Sequence, residues 1–287
     1  MSIYEYRAYG LTDRGNVKKV NQDCFSKRGG LFRGERVFFA MVADGMGGTV
    51  NGEKASEAIR DRMDKWFQKE LGNVFEAGND FEKELAAEWQ CAANDVNSML
   101  NSEPAGKAGT TLTMLMLFNG TAYTANIGDS RIYQNTNDGL YQITEDHSWV
   151  QSQLAKGRSM EDIVEDENYE VLAHKLTRCL GAGVTDTPEI DFRTETYDVG
   201  DVFLLCSDGL VHTIPVAELE SELGNTDNNT KQITETLINT AKERGERDNI
   251  TAVIIRVGLE SGQAPQDSMP LERTQKLTEL TKAWRRP

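Results

Sequence analysis

Cysteine, histidine and long apolar runs are what this sequence has least of. Its 287 residues include four cysteines, Cys24, Cys91, Cys179 and Cys206, scattered with no CxxC pair, and three histidines that do not cluster with them. That spacing argues against a thiolate zinc site or a disulfide framework and leaves reduced, mostly buried thiols. No stretch approaches the roughly 20 apolar residues that span a bilayer, and MSIYEYRAYG lacks the basic-then-apolar layout of a signal peptide. A cytoplasmic protein without membrane attachment is the expectation. Positive charge is short too: Lys and Arg number 31 against 46 Asp and Glu, a formal net charge of -15. Such a chain repels polyanions, and no basic patch in its body offsets this, so nucleic acid is not the expected partner. The acidity suits a protein that collects hard cations.

What is present reads as an ordinary core. Six short segments rich in β-formers read as strands: Val37 to Ala43, Thr111 to Phe118, Thr121 to Ile127, Arg131 to Gln134, Val202 to Cys206 and Thr251 to Val257. Asn119-Gly120 between the second and third supplies the positive φ angles of a two-residue hairpin turn. Asn137-Asp138-Gly139 repeats that signal before Leu140 to Ile143, which predicts a sheet that is largely a meander. Helical period marks Ile59, Met63, Trp66 and Phe67, then Phe81, Leu85, Trp89, Ala92, Val96 and Leu100, with a more polar helix over Thr230 to Arg244. The expected organisation is one domain over residues 1–258 with a polar, helical, flap-like subdomain at about 146–188. Residues 259–287 read as a linker and a short amphipathic tail.

The chemistry is concentrated where strands run into aspartate. Val42-Ala43-Asp44-Gly45-Met46-Gly47-Gly48 takes an apolar strand into a carboxylate and three glycines, and Val202 to Cys206 runs likewise into Ser207-Asp208-Gly209. Taken singly, a strand followed by Asp-Gly is a turn signal. Asp129 lies between two strands and Asp248 just before the last, so four aspartates stand at strand ends. Carboxylates gathered on one sheet edge repel and partly protonate unless cations neutralise them. Oxygen-only donors select Mg2+ or Mn2+ over Zn2+.

The ordered strings Thr12-Asp13-Arg14-Gly15 with Asn21-Gln22-Asp23, ADGMGG with Gly52-Glu53-Lys54-Ala55-Ser56, Gly109-Thr110-Thr111, IGDSR, TEDHS, SDGL and RDNIT resemble the motif series of the type-2C metal-dependent protein phosphatases in their bacterial form. The resemblance spans about residues 5 to 257. It implies an α+β fold, a four-layer sandwich of two antiparallel β-sheets flanked by α-helices, with metals at one end of the sheets. It implies a serine/threonine phosphatase that hydrolyses phosphoserine and phosphothreonine by direct attack of a metal-bridging hydroxide. Carried over, Asp44 bridges two Mn2+ or Mg2+ ions, Gly45 offers its carbonyl to one, and Asp208 and Asp248 complete the ligands of the other. Asp129 with Asp208 holds a third, weaker ion, while Asp23 and Gln22 act through bound waters. Asp44, Asp208 and Asp248 thus form the implied catalytic set. The implied partners are phosphorylated proteins, products of a serine/threonine kinase, met by a monomer.

Two departures stand out. Lys18 occupies the place of the family's phosphate-gripping arginine, a point charge where a bidentate fork is usual. Thr49 and Met46 stand where histidine is found or assigned as an acid in other members. His147 reads as a stabiliser of the TEDHS turn, and Arg131 as half of a structural ion pair. Two rival readings remain open. A silent, scaffolding member is disfavoured by the intact aspartates, and a metal-dependent nuclease by the charge.

Overall fold

The computed structural model describes residues 4–47, 51–102, 108–184 and 186–259, so the tail expected at 259–287 lies outside the described residues apart from Leu259, as does Thr49. In chain order the elements are β1 (Tyr4–Asp13), β2 (Asp23–Phe32), β3 (Glu35–Met46), α1 (Gly52–Lys69), α2 (Leu71–Glu76), α3 (Phe81–Ser102), β4 (Gly109–Thr110), β5 (Leu112–Phe118), β6 (Thr121–Ile127), β7 (Arg131–Thr136) and β8 (Gly139–Gln142). Then follow α4 (Trp149–Leu154), α5 (Met160–Val164), α6 (Tyr169–Leu172), β9 (Leu180–Gly181), β10 (Asp191–Thr196), β11 (Val202–Cys206), α7 (Asp208–Val211), α8 (Val216–Leu223), α9 (Thr230–Glu243) and β12 (Ile250–Leu259). All strand pairing is antiparallel.

Side-chain parity along the strands builds the layers. In β3, Val37, Phe39, Met41 and Ala43 face a core shared with α1 and α3, while Phe38, Ala40 and Val42 face the other sheet. In β12, Val253, Ile255 and Val257 meet those residues from the opposite side, and Ile250, Ala252 and Ile254 pack under α9. Strands this apolar on both faces are buried between layers, so the run Val37 to Ala43 has no polar alternation. One sheet has the order β1-β12-β11-β7-β8. The other runs β10-β6-β5-β3-β4-β9, with β2 also paired to β3. Helices α1 to α3 cover the second sheet and α7 to α9 the first, which makes the expected four-layer α+β sandwich. Phe39, Trp66 and Trp89 meet at ring distances of 5.7 to 6.3 Å in the middle of one outer core. Among the described residues no helix is long and apolar enough to cross a membrane.

The hairpin at Asn119-Gly120 forms with both residues at positive φ, 49° and 80°. The meander is corrected. Hairpin β5–β6 belongs to one sheet and hairpin β7–β8 to the other, because residues 128–130 cross between sheets. That crossing delivers Asp129 to the end of the sandwich where β3 and β11 also finish.

Candidate metal centre

Strands β3, β6 and β11 end, and strands β2, β7 and β12 begin, at the same end of the sandwich, and each junction carries polar groups. Asp23 at the start of β2 stands opposite Asp44 near the end of β3. Thr111 separates β4 from β5, and that break pins Asp44. The Asp44 N–H donates to Thr111 Oγ1 at 2.9 Å and the Thr111 N–H returns to the Asp44 carbonyl at 2.9 Å. Thr111 Oγ1 also lies 2.9 Å from Ser130 Oγ, which fastens the crossing that holds Asp129. Asp208 opens α7 directly after β11, and Asp248 and Asn249 lead into β12.

The loop between β1 and β2 is clamped by Asn249, which leads into β12, the neighbour of β1 in the same sheet. Its Oδ1 accepts the Gln22 N–H at 2.8 Å, and its Nδ2 donates to the carbonyls of Arg14 and Val20 at 2.9 and 3.1 Å. The Gln22 carbonyl accepts from Gly45 N–H at 3.0 Å and Ser56 Oγ at 2.6 Å, and Gln22 Nε2 reaches Glu53 Oε2 at 3.5 Å. The buried Asp23 Oδ2 accepts from Ser207 Oγ and Thr251 Oγ1, both at 2.7 Å. Ser207, Asn249, Thr251 and Glu53 were not singled out from the sequence, although the first three share a motif with Asp208 or Asp248 and Glu53 lies in Gly52-Glu53-Lys54-Ala55-Ser56.

This geometry puts like charges together. Burial raises the Asp23 carboxyl to about 7 despite its two hydroxyl donors, and the fields of Asp208 and Asp248 push the same way. Burial, then the charges of Asp23, Asp208, Asp129 and Asp248, hold Asp44 well above the usual carboxylate range. Asp129 is raised to about 8 by burial and by Asp208 and Asp146. Asp208 is raised by burial, against an opposing pull from His212. Asp23 Oδ1 and Asp208 Oδ1 are buried with no hydrogen-bond partner among the described residues. Orphaned carboxylate oxygens in a mutually repelling set fit hard divalent cations, which would satisfy both the lone pairs and the charge.

Lys18 is brought into this cluster, its Nζ lying 2.7 Å from Asp248 Oδ1. Burial alone would lower its ammonium, but the bond to Asp248 and the fields of Asp248, Asp44 and Asp208 outweigh that and raise it. Lys18 therefore stays charged and stands where a cation is wanted.

Two other expectations resolve on contacts. Arg131 grips Asp146 through Nε at 2.9 Å and Nη2 at 2.6 Å, and donates from Nη1 to Tyr133 Oη at 3.0 Å, a structural pair. His147 accepts the Gly128 N–H on Nδ1 at 3.1 Å, and its own N–H donates to the Gly128 carbonyl at 2.9 Å. Burial, with Arg178 3.3 Å from Nε2, lowers its pKa and keeps the ring neutral. It steadies the crossing turn.

Gly45 marks the closest approach. A Cβ there would lie 2.1 Å from the Gly52 carbonyl oxygen and 2.6 Å from that of Gln22, all backbone and none able to swing away. Gly45→Ala is expected to cost at least about 2 kcal/mol in urea unfolding, by forcing β3, α1 and the Gln22 loop apart. Wild-type stability in that variant would show that the contact yields.

Residues 14–254 match the family model described as Protein phosphatase 2C. The chain is 33% identical over 256 residues to "Serine/threonine phosphatase stp" of Listeria innocua, covering 86% of this chain and 94% of that protein. It is 32% identical over 254 residues to "Protein phosphatase PhpP" of Streptococcus pneumoniae, covering 88% and 98%. It also resembles the crystal structure of the catalytic domain of the serine threonine protein phosphatase PstP in complex with two manganese ions. The TM-score is 0.71 at 27% identity, over 89% of this chain and 99% of that one.

Proposed function

Because the chain belongs to the protein phosphatase 2C family, we propose that it is a metal-dependent serine/threonine phosphatase that hydrolyses phosphoserine and phosphothreonine esters of proteins. The observation that carries the reading is the set of carboxylates at one end of the sandwich, Asp23, Asp44, Asp129, Asp208 and Asp248, each of the first four disfavoured as an anion in the metal-free protein. Asp44, Asp208, Asp248 and the Gly45 carbonyl would hold two Mn2+ or Mg2+ ions, with Asp129 and Asp208 available to a weaker third and Asp23 and Gln22 supporting through water. Bound there, the ions would acidify a water to serve as nucleophile and draw charge from the phosphoryl oxygens.

The residues present favour hydrolysis by water over a covalent phosphoenzyme. Burial raises the Cys24 and Cys206 thiols to about 12, so neither supplies a thiolate at neutral pH. The Ser207 hydroxyl is engaged as a donor to Asp23 and accepts the Thr251 N–H at 3.0 Å. His147 is committed to Gly128, so it does not carry the leaving-group proton. Residues 146–188, with the short helices α4 to α6, would form the flap beside the substrate, and we place the enzyme in the cytoplasm as a monomer that opposes a serine/threonine kinase. Release of phosphate from a phosphothreonine peptide and from p-nitrophenyl phosphate, with and without Mn2+, tests the assignment. No turnover of either with Mn2+ or Mg2+ would overturn it in favour of a binding role.

Lys18 has two duties on this reading. In the metal-free protein it neutralises Asp248, and with metal in place it is released toward the phosphate. Lys18→Ala is expected to bind Mn2+ several-fold more tightly, because a competing cation is gone, and to raise KM for the phosphopeptide several-fold, about 1 kcal/mol for one charged hydrogen bond. Titration calorimetry and steady-state kinetics read the two separately. Unchanged values in both would place Lys18 outside the site.

A further inference from the structure

Two of the chain's three histidines have no ligand role in the centre described so far, and they meet at its edge. His212 follows the single turn of α7 and stands one helical turn from Asp208, so the i,i+4 spacing sets both side chains on one face, with His212 Nε2 at 3.6 Å from Asp208 Oδ2. His174 arrives from the segment after α6, its ring 5.3 Å from that of His212 and at 78° to it. One donor atom from each of His174, Asp208 and His212 lies within 4.8 Å of the others. The far side of His212 is also furnished. Its Nδ1 is 4.0 Å from Oε2 of the buried Glu246, whose Oε1 is fixed by the N–H groups of Arg247 and Asp248 at 2.8 and 2.9 Å. At 4.0 Å Glu246 lies just beyond hydrogen-bond reach of Nδ1, where a small rotation of the ring would bring it into the carboxylate-behind-histidine arrangement of metal sites, while Nε2 faces Asp208.

We propose that His174, Asp208 and His212 form a Zn2+ site distinct from the all-oxygen centre, in which the ion fastens the 146–188 segment to the end of β11. Two imidazoles and one carboxylate are a zinc-type set with a fourth position left for water, whereas the neighbouring carboxylates suit Mn2+ and Mg2+. Donor atoms at tetrahedral zinc stand closer together than 4.8 Å, so binding draws the exposed His174 inward by about 1 Å. Asp208 serves both centres. Zinc therefore withdraws a ligand from the Mn2+ pair and acts as an inhibitor, a consequence that rests on the phosphatase reading, while the binding itself does not.

The test is a zinc titration of the full chain, saturated with Mn2+, against a chromophoric chelator. The exposed Cys91 is replaced by serine throughout to remove a stray thiolate. One zinc is expected to bind to this background protein, at least tenfold more weakly after His174→Gln and after His212→Gln, and with a smaller loss after Glu246→Gln. Both histidines are exposed, so the variants should fold, which circular dichroism checks. Mn2+-dependent turnover should be unchanged after His174→Gln, and the zinc concentration that halves it should rise at least tenfold. Zinc affinity equal to that of the background protein in either histidine variant overturns the site. Zinc binding lost in the variants from a protein without phosphatase activity would overturn the proposed function and leave the site standing.

Discussion

Asp44→Asn is expected to lower Mn2+-dependent turnover by at least about a thousandfold while making the metal-free protein more stable. The two effects have one cause. Asp44 faces Asp23, Asp129, Asp208 and Asp248, and burial with their charges holds its carboxyl well above the usual range. At neutral pH its negative charge is therefore a cost that only a cation offsets. Asparagine keeps the shape and both hydrogen bonds of the backbone to Thr111 but removes the charge. Asp208→Asn should behave alike, since its carboxyl is raised by burial and its Oδ1 is buried without a partner among the described residues. Asp129→Asn should retain the two tighter ions in a Mn2+ titration and slow the reaction less. Wild-type turnover in Asp44→Asn at saturating Mn2+ would sink the assignment of this cluster as the metal centre. Lower metal-free stability in the variant would show that the carboxylate was held by contacts other than its charge.

The buried strands were legible because burial on two faces writes itself as an apolar run, as in Val37 to Ala43 and Val202 to Cys206. Strands β1, β2 and β10 were missed, and all three are outer strands of their sheets. An edge strand meets water on one side and carries charge against stray pairing, as Lys27 and Arg28 in β2 and Arg193 and Glu195 in β10 show. Tyr4, Tyr6 and Ala8 do alternate toward the central core with Glu5 and Arg7 between them, a period-2 signal that was available. The aspartates were legible as strand-end residues, yet their gathering depends on residues 128–130 crossing between sheets, which no local pattern encodes. His174 and His212 are 38 residues apart on different elements, so only the fold joins them.

Metal-free protein should lose stability as pH rises from about 5 to 8, and Mn2+ should reverse that slope. Asp23 and Asp129 have folded values of about 7 and about 8, and Asp44 and Asp208 are also raised. In the unfolded chain each returns to about 3.9. Between the unfolded and folded values the native state therefore holds more protons than the unfolded state, and stability falls with rising pH. Asp13 works in the opposite sense. Its bonds to Lys242 Nζ at 2.7 Å and Gly15 N–H at 2.8 Å lower its pKa against the pull of burial, so its contribution is present above the unfolded value and is lost only in stronger acid. That lies below the window and does not mask the slope. The summed change is of the order of a few kcal/mol, which for a domain of this size is on the order of 10 °C in Tm. With Mn2+ present the cations replace the protons, and affinity grows as the carboxylates ionise, so the metal-loaded Tm should climb across the same range. Scanning calorimetry at pH 5, 6, 7 and 8, in chelator and in excess Mn2+, measures both slopes. A metal-free Tm that is flat or rising over this range would mean that the clustered carboxylates are already neutralised within the protein, with Lys18 and its neighbours sufficient, and would remove the electrostatic demand from which the metal centre is argued.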